Sequence, residues 1–565
     1  MTELARRVAP GHAAVEVLAV NGVGVVFGLN GDHVLKLYEG LADTPSIRHV
    51  TVKHENNAAL AAEAYGRLTG RPGVALVTAG PGALNSISGV ASALAAGAPL
   101  VHLSGAVPTN AALEAFHGVD AVDFTERAFA PVTKSSTRVT RASEVVGALT
   151  RAFELAVDGR PGPVHVELTR DLLDGEPFDS QPPGPAAQPS AAPAPGLDRL
   201  LERLRAARRP MIVASKGAWY PAVSAALVEL AEALVAPVAH TWEGHGSIPT
   251  VHPLSLGPYR IMQSHPAVLE ELGAADLVLG IGVRAGTETD RALRSDFADK
   301  LLVLDAADAV DGPEQVGGPD VRARSVPSLA ASLRELARLV GARADAAAAR
   351  RRCAEARRQL ARGIEVELER QAGARPWHIG LAIRALDERM TPEMVVTSDV
   401  SNVKLWVPFQ LRTFGPHSHV QAGSWGTMGY ALPAAIGAAM AFPGRKVVGL
   451  AGDASFLMSS SDLVTIAQHR LPIVLGVHHD GQIGMINYMQ RMAGRAPYAS
   501  EIGEVNYARH AEAAGLRGIR VEEPDVIGPA WDAALAHDGP VLIEFMAGHD
   551  FPRPSVSRFA EQGRA

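Results

Sequence analysis

The chain has 565 residues, 47% of them hydrophobic and 20% charged, which is enough for about three domains with large buried cores. A formal net charge of −7 without a long basic run argues against nucleic acid or an anionic membrane as the main partner. The single cysteine, Cys353, excludes an intrachain disulfide framework; the opening MTELARRVAPGHAAVEVL has no signal-peptide core and the Ala-rich stretches are interrupted before transmembrane length, so the cytoplasm is the expected compartment.

Residues 1–177 alternate helical and strand-like segments. A helix is expected near His12 to Asn21, a strand at VGVVFGL, a helix from His33 and a strand at IRHVTV. A helix from Asn56 to Leu68, the strand GVALVTAG, an Ala-rich helix and the strand PLVHLSG follow. This is the pattern of a doubly wound α/β domain. The span 178–196, FDSQPPGPAAQPSAAPAPG, is too rich in Pro and Ala to pack a core and reads as a linker. A second α/β unit, 197–342, carries the strands ADLVLGIG and KLLVLDA. Its LVLGIGVRAG ends in glycines without being GxGxxG, so a tight strand-to-helix turn is expected there. A charged connector, 343–376, leads to a third α/β unit, 377–550, and then to a tail, 551–565.

Within the third unit, KVVGLAG is an apolar strand, SSDLVTIAQH has helical spacing behind serines, and LPIVLGV is a second buried strand. In a βαβ unit the loops after both strands meet at the carboxyl edge of a parallel sheet, where open α/β folds bind ligands. Asp453 follows the first strand and Asp480 the second, so two carboxylates distant in sequence can reach one point. Magnesium takes oxygen ligands, commonly one or two carboxylates plus phosphates. The small residues Gly452, Ala454 and Ser455 let backbone amides approach a diphosphate. His478 and His479, as neighbours on a strand, point to opposite faces and do not form a metal pair.

This stretch resembles the thiamin diphosphate (ThDP) motif of the acetolactate synthase, pyruvate oxidase and benzaldehyde lyase superfamily: GDG, an acidic-Leu-x-Thr helix, then NN. Here the pieces are Gly452-Asp453-Ala454, Asp462-Leu463-Val464-Thr465 and His479-Asp480, with Asp453 and Asp480 27 residues apart. Ala454 departs from the family's Gly, a change that ordinary backbone dihedrals allow, and Asp480 stands where Asn is common. The resemblance implies that Asp453 and Asp480 bind Mg2+ through their side chains and Gln482 through its backbone carbonyl. Gly452, Ala454, Ser455, Gly484 and Met485 would border the cofactor.

The resemblance extends over nearly the whole chain. VKHENNAALAAEAYGRLTG is similar to the family's pyrimidine-domain signature and puts Glu55 at the catalytic position, where a carboxyl hydrogen-bonds the aminopyrimidine N1′. Gly80-Pro81-Gly82 and Asn85 match a GPGxxN turn at the cofactor. FGLNGDH resembles a benzaldehyde lyase-like loop, in which His33 would face the substrate; a capping or packing histidine is the alternative. His54 and His117 are further candidates, His117 standing where many relatives have Gln. SDVSN resembles the loop whose Ser and Asn face the diphosphate, which implies that role for Ser401 and Asn402, and GSWGTMGYALPAAIGA resembles the family's GTMG segment, which implies a Gly426 carbonyl facing N4′ and Met428 as a wedge between the cofactor rings. Ala106, and the absence of Trp from MINYMQ, mark a substrate pocket different from that of a plain acetolactate synthase. GVRAGTETD differs from the arginine-rich segment of flavin-carrying relatives, so FAD is expected to be absent.

The implied architecture is three doubly wound α/β domains, pyrimidine-binding, central and diphosphate-binding. The implied reaction is decarboxylation of a 2-oxo acid with transfer of the acyl unit to a second carbonyl; acyloin or 2-hydroxyacyl cleavage, simple decarboxylation and a non-catalytic scaffold are the alternatives. The family shares each cofactor between subunits, so a homodimer or homotetramer is expected, with Glu55 of one copy facing Asp453 of another.

Overall fold

A computed structural model of the chain describes residues 6–109, 117–259, 266–284, 288–306, 321–341, 346–371 and 373–548. Short apolar runs such as GVALV (Gly73–Val77), LVLGI (Leu277–Ile281) and VVGLAG (Val447–Gly452) are buried along their whole length. Continuous rather than alternating burial is what parallel strands covered on both faces require. Among the described residues such strands build three six-stranded sheets, every pairing in them parallel.

The first sheet runs Arg48–Thr51, Val25–Gly28, Gly73–Val77, Leu100–Ala106, Pro163–Thr169, Ser135–Val139. The central sheet runs Ser255–Pro258, Val238–His240, Pro210–Ala214, Leu277–Ile281, Leu301–Ala306, Val321–Ala323. The third runs His419–Gln421, Val395–Ser398, Val447–Gly452, Ile473–His479, Val541–Met546, Arg517–Val521. In each the chain winds outward in one direction and returns to the middle; it then winds straight out the other way in the central sheet, whereas in the first and third sheets it visits the far edge, Ser135–Val139 and Arg517–Val521, before the strand inside it. The loops beside that reversal diverge and leave a crevice at the carboxyl ends of the strands. Two compact units contain these sheets: residues 1–189 with 436–443, and residues 190–435 with 444–565.

The two stretches expected as a linker and a connector carry secondary structure of their own. Phe178–Ser180, in the Pro/Ala-rich span, pairs antiparallel with Arg6–Val8. Ala186 belongs to the first unit's core and Ala194 to the second's. Extended backbone too poor in side chains to make a core still has amides to pair, as the Ala186 N–H does with Asn21 Oδ1 at 2.9 Å. The charged connector is a 26-residue helix, Ala346–Gln371. Its Ala349, Cys353, Ala356, Leu360, Ile364 and Leu368 are buried, steps of three and four that put one narrow stripe against the core, with Arg350, Arg351, Arg358 and Arg362 exposed and Arg352 and Arg357 half-buried beside it. Burial pushes the Cys353 thiol up to about 11.

Candidate active site

In the first unit, the loops after the three strands at the reversal carry the candidate residues. Strand Val25–Gly28 leads to His33, Arg48–Thr51 to Glu55, and Gly73–Val77 to the turn at Gly80. His54 caps the helix Glu55–Thr69 by accepting the Asn56 N–H at 3.1 Å; this fixes Glu55 in the first helical turn and gives His54 a structural task. Glu55 is 9% exposed, and Asn85 Nδ2 donates to its Oε2 at 3.0 Å. The other oxygen faces Gly82, where a Cβ would meet Glu55 Oε1 at 3.3 Å and Thr78 Cγ2 at 2.6 Å. Gly80 takes φ +57, and a Cβ there would strike the His117 Cβ at 2.7 Å. GPGxxN is thus a close-approach turn that leaves Asn85 turned toward Glu55.

His33 is buried and stacks on His117, ring centroids 4.8 Å apart and planes 19° from parallel. His117 itself has φ +65, and its Nδ1 lies 3.0 Å from the Ala79 carbonyl. A carbonyl only accepts, so Nδ1 carries a proton in this contact. Glu55, Asn85, Gly82 and the two histidines are therefore neighbours along one sheet edge, joined through the turn at 78–82.

In the second unit, strands Val395–Ser398, Val447–Gly452 and Ile473–His479 lie side by side around the third sheet's reversal. The loops after them carry Asp399 to Asn402, Asp453, and Asp480 to Gly484. Asp453 is 1% exposed. Its Oδ1 accepts the Ala454 N–H at 2.8 Å, and its Oδ2 accepts those of Gly481 at 2.7 Å and Asp480 at 3.1 Å. Burial, and after it the charge of Asp480, pushes its carboxyl up to about 6; this is a crowded pair of carboxylates that a divalent cation would relieve. The Gln482 N–H donates to Asp480 Oδ1 at 3.3 Å.

Glycine sets the clearance around this pair. A Cβ at Gly484 would meet Asp480 Oδ2 at 2.6 Å and Asn402 Nδ2 at 2.7 Å, and one at Gly452 would meet the Ser401 Cβ at 2.8 Å. Asn402 is 3% exposed and its Oδ1 is buried without a hydrogen-bond partner among the described residues, an acceptor held ready beside the carboxylates. Ser401 caps the helix Asn402–Gln410 through the Val403 N–H, and Ser455 donates to the Val400 carbonyl at 2.8 Å. Ala454 lies inside the helix Asp453–Leu457, where alanine is at home, so the departure from GDG costs nothing. In Asp-Leu-x-Thr, Thr465 Oγ1 donates to the buried Asp462 Oδ1 at 2.6 Å, across the start of the helix Leu463–Gln468. Among the described residues no group of three His, Cys, Asp or Glu could hold a metal, so a cation here would take its other ligands from phosphate, carbonyl or water. The donor set is all oxygen, which fits magnesium. His478 bonds the Ala547 and Gly548 carbonyls while His479 pairs with Glu544 at 2.7 Å, so their rings serve separate partners.

One residue that sequence reasoning missed organises this edge. Asp399, fully buried, accepts N–H groups from Val400 at 2.7 Å, Gly429 at 3.1 Å and Ala431 at 2.9 Å. Burial raises its carboxyl to about 6. It ties the SDVSN loop to the segment containing Gly426 (φ +74) and the half-buried Met428. The only sequence signal was the acid directly after strand Val395–Ser398. In the central sheet, Gly282 (φ +67) packs backbone to backbone on Gly217, 2.4 Å from where its Cβ would lie, and Arg284 Nε donates to Asp305 at 2.8 Å. LVLGIG is a tight turn of this kind.

Three family models match the chain: the thiamine pyrophosphate enzyme N-terminal TPP binding domain over residues 10–124, its central domain over 197–312, and its C-terminal TPP binding domain over 399–545. A catabolic acetolactate synthase from Raoultella terrigena is 32% identical over 540 residues, covering 94% of this chain and 93% of that protein. An acetolactate synthase from Mycobacterium bovis is 30% identical, covering 95% and 88%. A probable acetolactate synthase large subunit from Methanocaldococcus jannaschii is 29% identical, covering 95% and 91%.

Proposed function

Because this chain belongs to the thiamine pyrophosphate enzyme family, we propose that the two clusters serve one ThDP-dependent reaction: decarboxylation of a 2-oxo acid with transfer of its acyl unit to a second carbonyl compound, as in acetolactate synthase. The observation that carries the reading is the Asp453–Asp480 pair beside the partnerless Asn402 Oδ1, at the reversal of a parallel sheet. ThDP, when bound, supplies a thiazolium that stabilises carbanionic charge next to the scissile bond. The protein's work is to bind, orient and move protons. Asp453 and Asp480 hold magnesium, with the Gln482 carbonyl as a further ligand, while Asn402 and the amides around Gly452, Ala454 and Ser455 hold the diphosphate. Gly484 keeps that approach open, Met485 borders it, and Gly426 and Met428 orient the rings.

On the pyrimidine side, Asn85 fixes one oxygen of Glu55 and Gly82 clears the way to the other, which holds and releases a proton at Oε1. Pro81 fixes the turn between them. Magnesium, independence from FAD, a cytoplasmic site of action and a homodimer or homotetramer that shares each cofactor between copies complete the proposal. A second reading, cleavage of an acyloin or 2-hydroxyacyl compound, has the His33–His117 stack in its favour, since two imidazoles can hand a proton to or from a substrate hydroxyl. NMR of product mixtures from a panel of 2-oxo acids and acyloins, with ThDP and magnesium present and FAD withheld, tests both. Carboligation products from a 2-oxo acid support the first reading, aldehydes from acyloins alone support the second, and no turnover of either class contradicts both.

A further inference from the structure

A buried network joins the central sheet to the third sheet within the second unit. After strand Val238–His240, Trp242 and Glu243 reach the end of strand His419–Gln421. The Trp242 indole donates to Gln421 Oε1, the Gln421 amide donates back to the Trp242 carbonyl, and Lys404 Nζ sits 3.0 Å from the centroid of the Trp242 ring. Glu243, 7% exposed, accepts the Ser424 N–H at 3.0 Å and has Lys216 Nζ at 3.7 Å. Lys404, 3% exposed, is pushed down to about 7 by burial, with Glu243 and then Asp399 opposing that shift. Beyond the turn, Asp399 grips the Gly429 and Ala431 amides. Residues Trp425 to Met428 are therefore bracketed by two buried carboxylates, one from the central domain and one from the diphosphate-side loop.

We propose that Glu243 is a positioning residue for catalysis: by holding the Ser424 amide it fixes, from the central domain, the Trp425–Met428 turn whose Gly426 and Met428 orient the cofactor rings. This rests on the ThDP reading. The central domain then takes part in the chemistry without touching a reacting atom. The hydrogen bond to Ser424 needs only an acceptor oxygen at Oε1. The charge serves a second purpose, since the buried Lys216 and Lys404 side chains interact with it and a neutral side chain leaves them less well compensated.

The two purposes separate experimentally. Glu243→Gln keeps an acceptor, Glu243→Ala removes it, and Ser424→Pro removes the donor while leaving every charge in place. Amide hydrogen exchange of the peptide spanning 421–428 is measured first, in protein free of cofactor. ThDP saturation and turnover at saturating ThDP and magnesium follow, together with the thermal midpoint. In Glu243→Ala and Ser424→Pro the peptide should exchange faster and turnover should fall about tenfold or more, the effect of one lost hydrogen bond to a charged group. Glu243→Gln should recover most of both, and the Glu243→Ala/Ser424→Pro double variant should be no worse than either single one. Unchanged exchange and turnover in Ser424→Pro, or equal damage in Glu243→Gln and Glu243→Ala that tracks only the midpoint, would overturn the proposal. Should Glu243→Ala fail to fold, Ser424→Pro alone decides. Wild-type protein that binds no ThDP would sink the functional reading instead, and the exchange measurement would still report on the bracket.

Discussion

The two clusters are built on opposite principles. In the second unit the key carboxylates are held by main chain: Asp453 accepts three backbone N–H groups and Asp399 another three. In the first unit side chains hold side chains: Asn85 reaches Glu55, and His33 lies on His117. A cradle of amides suits an invariant diphosphate and cation, and it survives replacement of nearby side chains such as Gly to Ala at 454. A cluster of side chains can change its chemistry with one substitution. On the proposed reading the main-chain cradle serves the cofactor that every substrate needs, while the side-chain cluster divides: Glu55, held by Asn85, would serve the common step, and the His33–His117 stack the choice of substrate.

The largest effect that would sharpen this contrast is at Glu55. Glu55→Gln should lower turnover of every substrate by roughly a hundred- to ten-thousandfold, as for a lost general acid or base. Exchange of the thiazolium C2 proton, followed by NMR, should slow along with it. Substrate-selective loss would break the assignment of Glu55 to the common step. His33→Ala should show the reverse: C2 exchange within about twofold of wild type, with turnover falling by about a hundredfold for the native substrate class. Parallel NMR assays with a 2-oxo acid and an acyloin identify that class as the one losing more rate. Equal, small effects on both would return His33 to a packing role.

What the sequence made legible follows from how each feature is encoded. Asp453 and Asp480 could be paired because parallel topology brings the loops after neighbouring strands to one edge, and strand–helix–strand is a local pattern. Asp399 and Glu243 could not be read in the same way. Their partners are backbone amides of residues 429, 431 and 424, which leave no trace in side-chain identity. The helix Ala346–Gln371 was obscured by its many arginines, although the stripe from Ala349 to Leu368 has helical spacing. The pairing of Phe178–Ser180 with Arg6–Val8 joins segments about 170 residues apart, beyond any local signal.

The smallest expected effect concerns stability. In the first unit His102 and His165 are both fully buried, stack on Phe129, and bond Ser86, Ser104 and Ser136. Burial lowers His102 to about 3 and His165 well below its ordinary value. The unfolded chain takes up these protons near pH 6.5, whereas in the folded chain His102 takes one up only near 3 and His165 only well below 6.5, so the contribution is complete above 6.5 and is lost as pH falls below it. Calorimetric unfolding of the ligand-free protein should show its first transition moving down with pH in that range. His102→Leu should make the descent shallower, by about 1.4 kcal/mol for each pKa unit removed at most. An identical descent in the variant would show that these histidines do not govern acid stability.

The central claim, that the second unit's carboxylate pair holds magnesium for a diphosphate, is tested most directly by calorimetric titration of ThDP. The wild-type chain should bind ThDP with magnesium present and fail to bind it in chelator. Asp453→Ala should show no binding in either condition, because the diphosphate charge would remain uncompensated in a buried site. Unchanged ThDP affinity in Asp453→Ala with magnesium present, or full affinity of the wild type in chelator, would contradict the account.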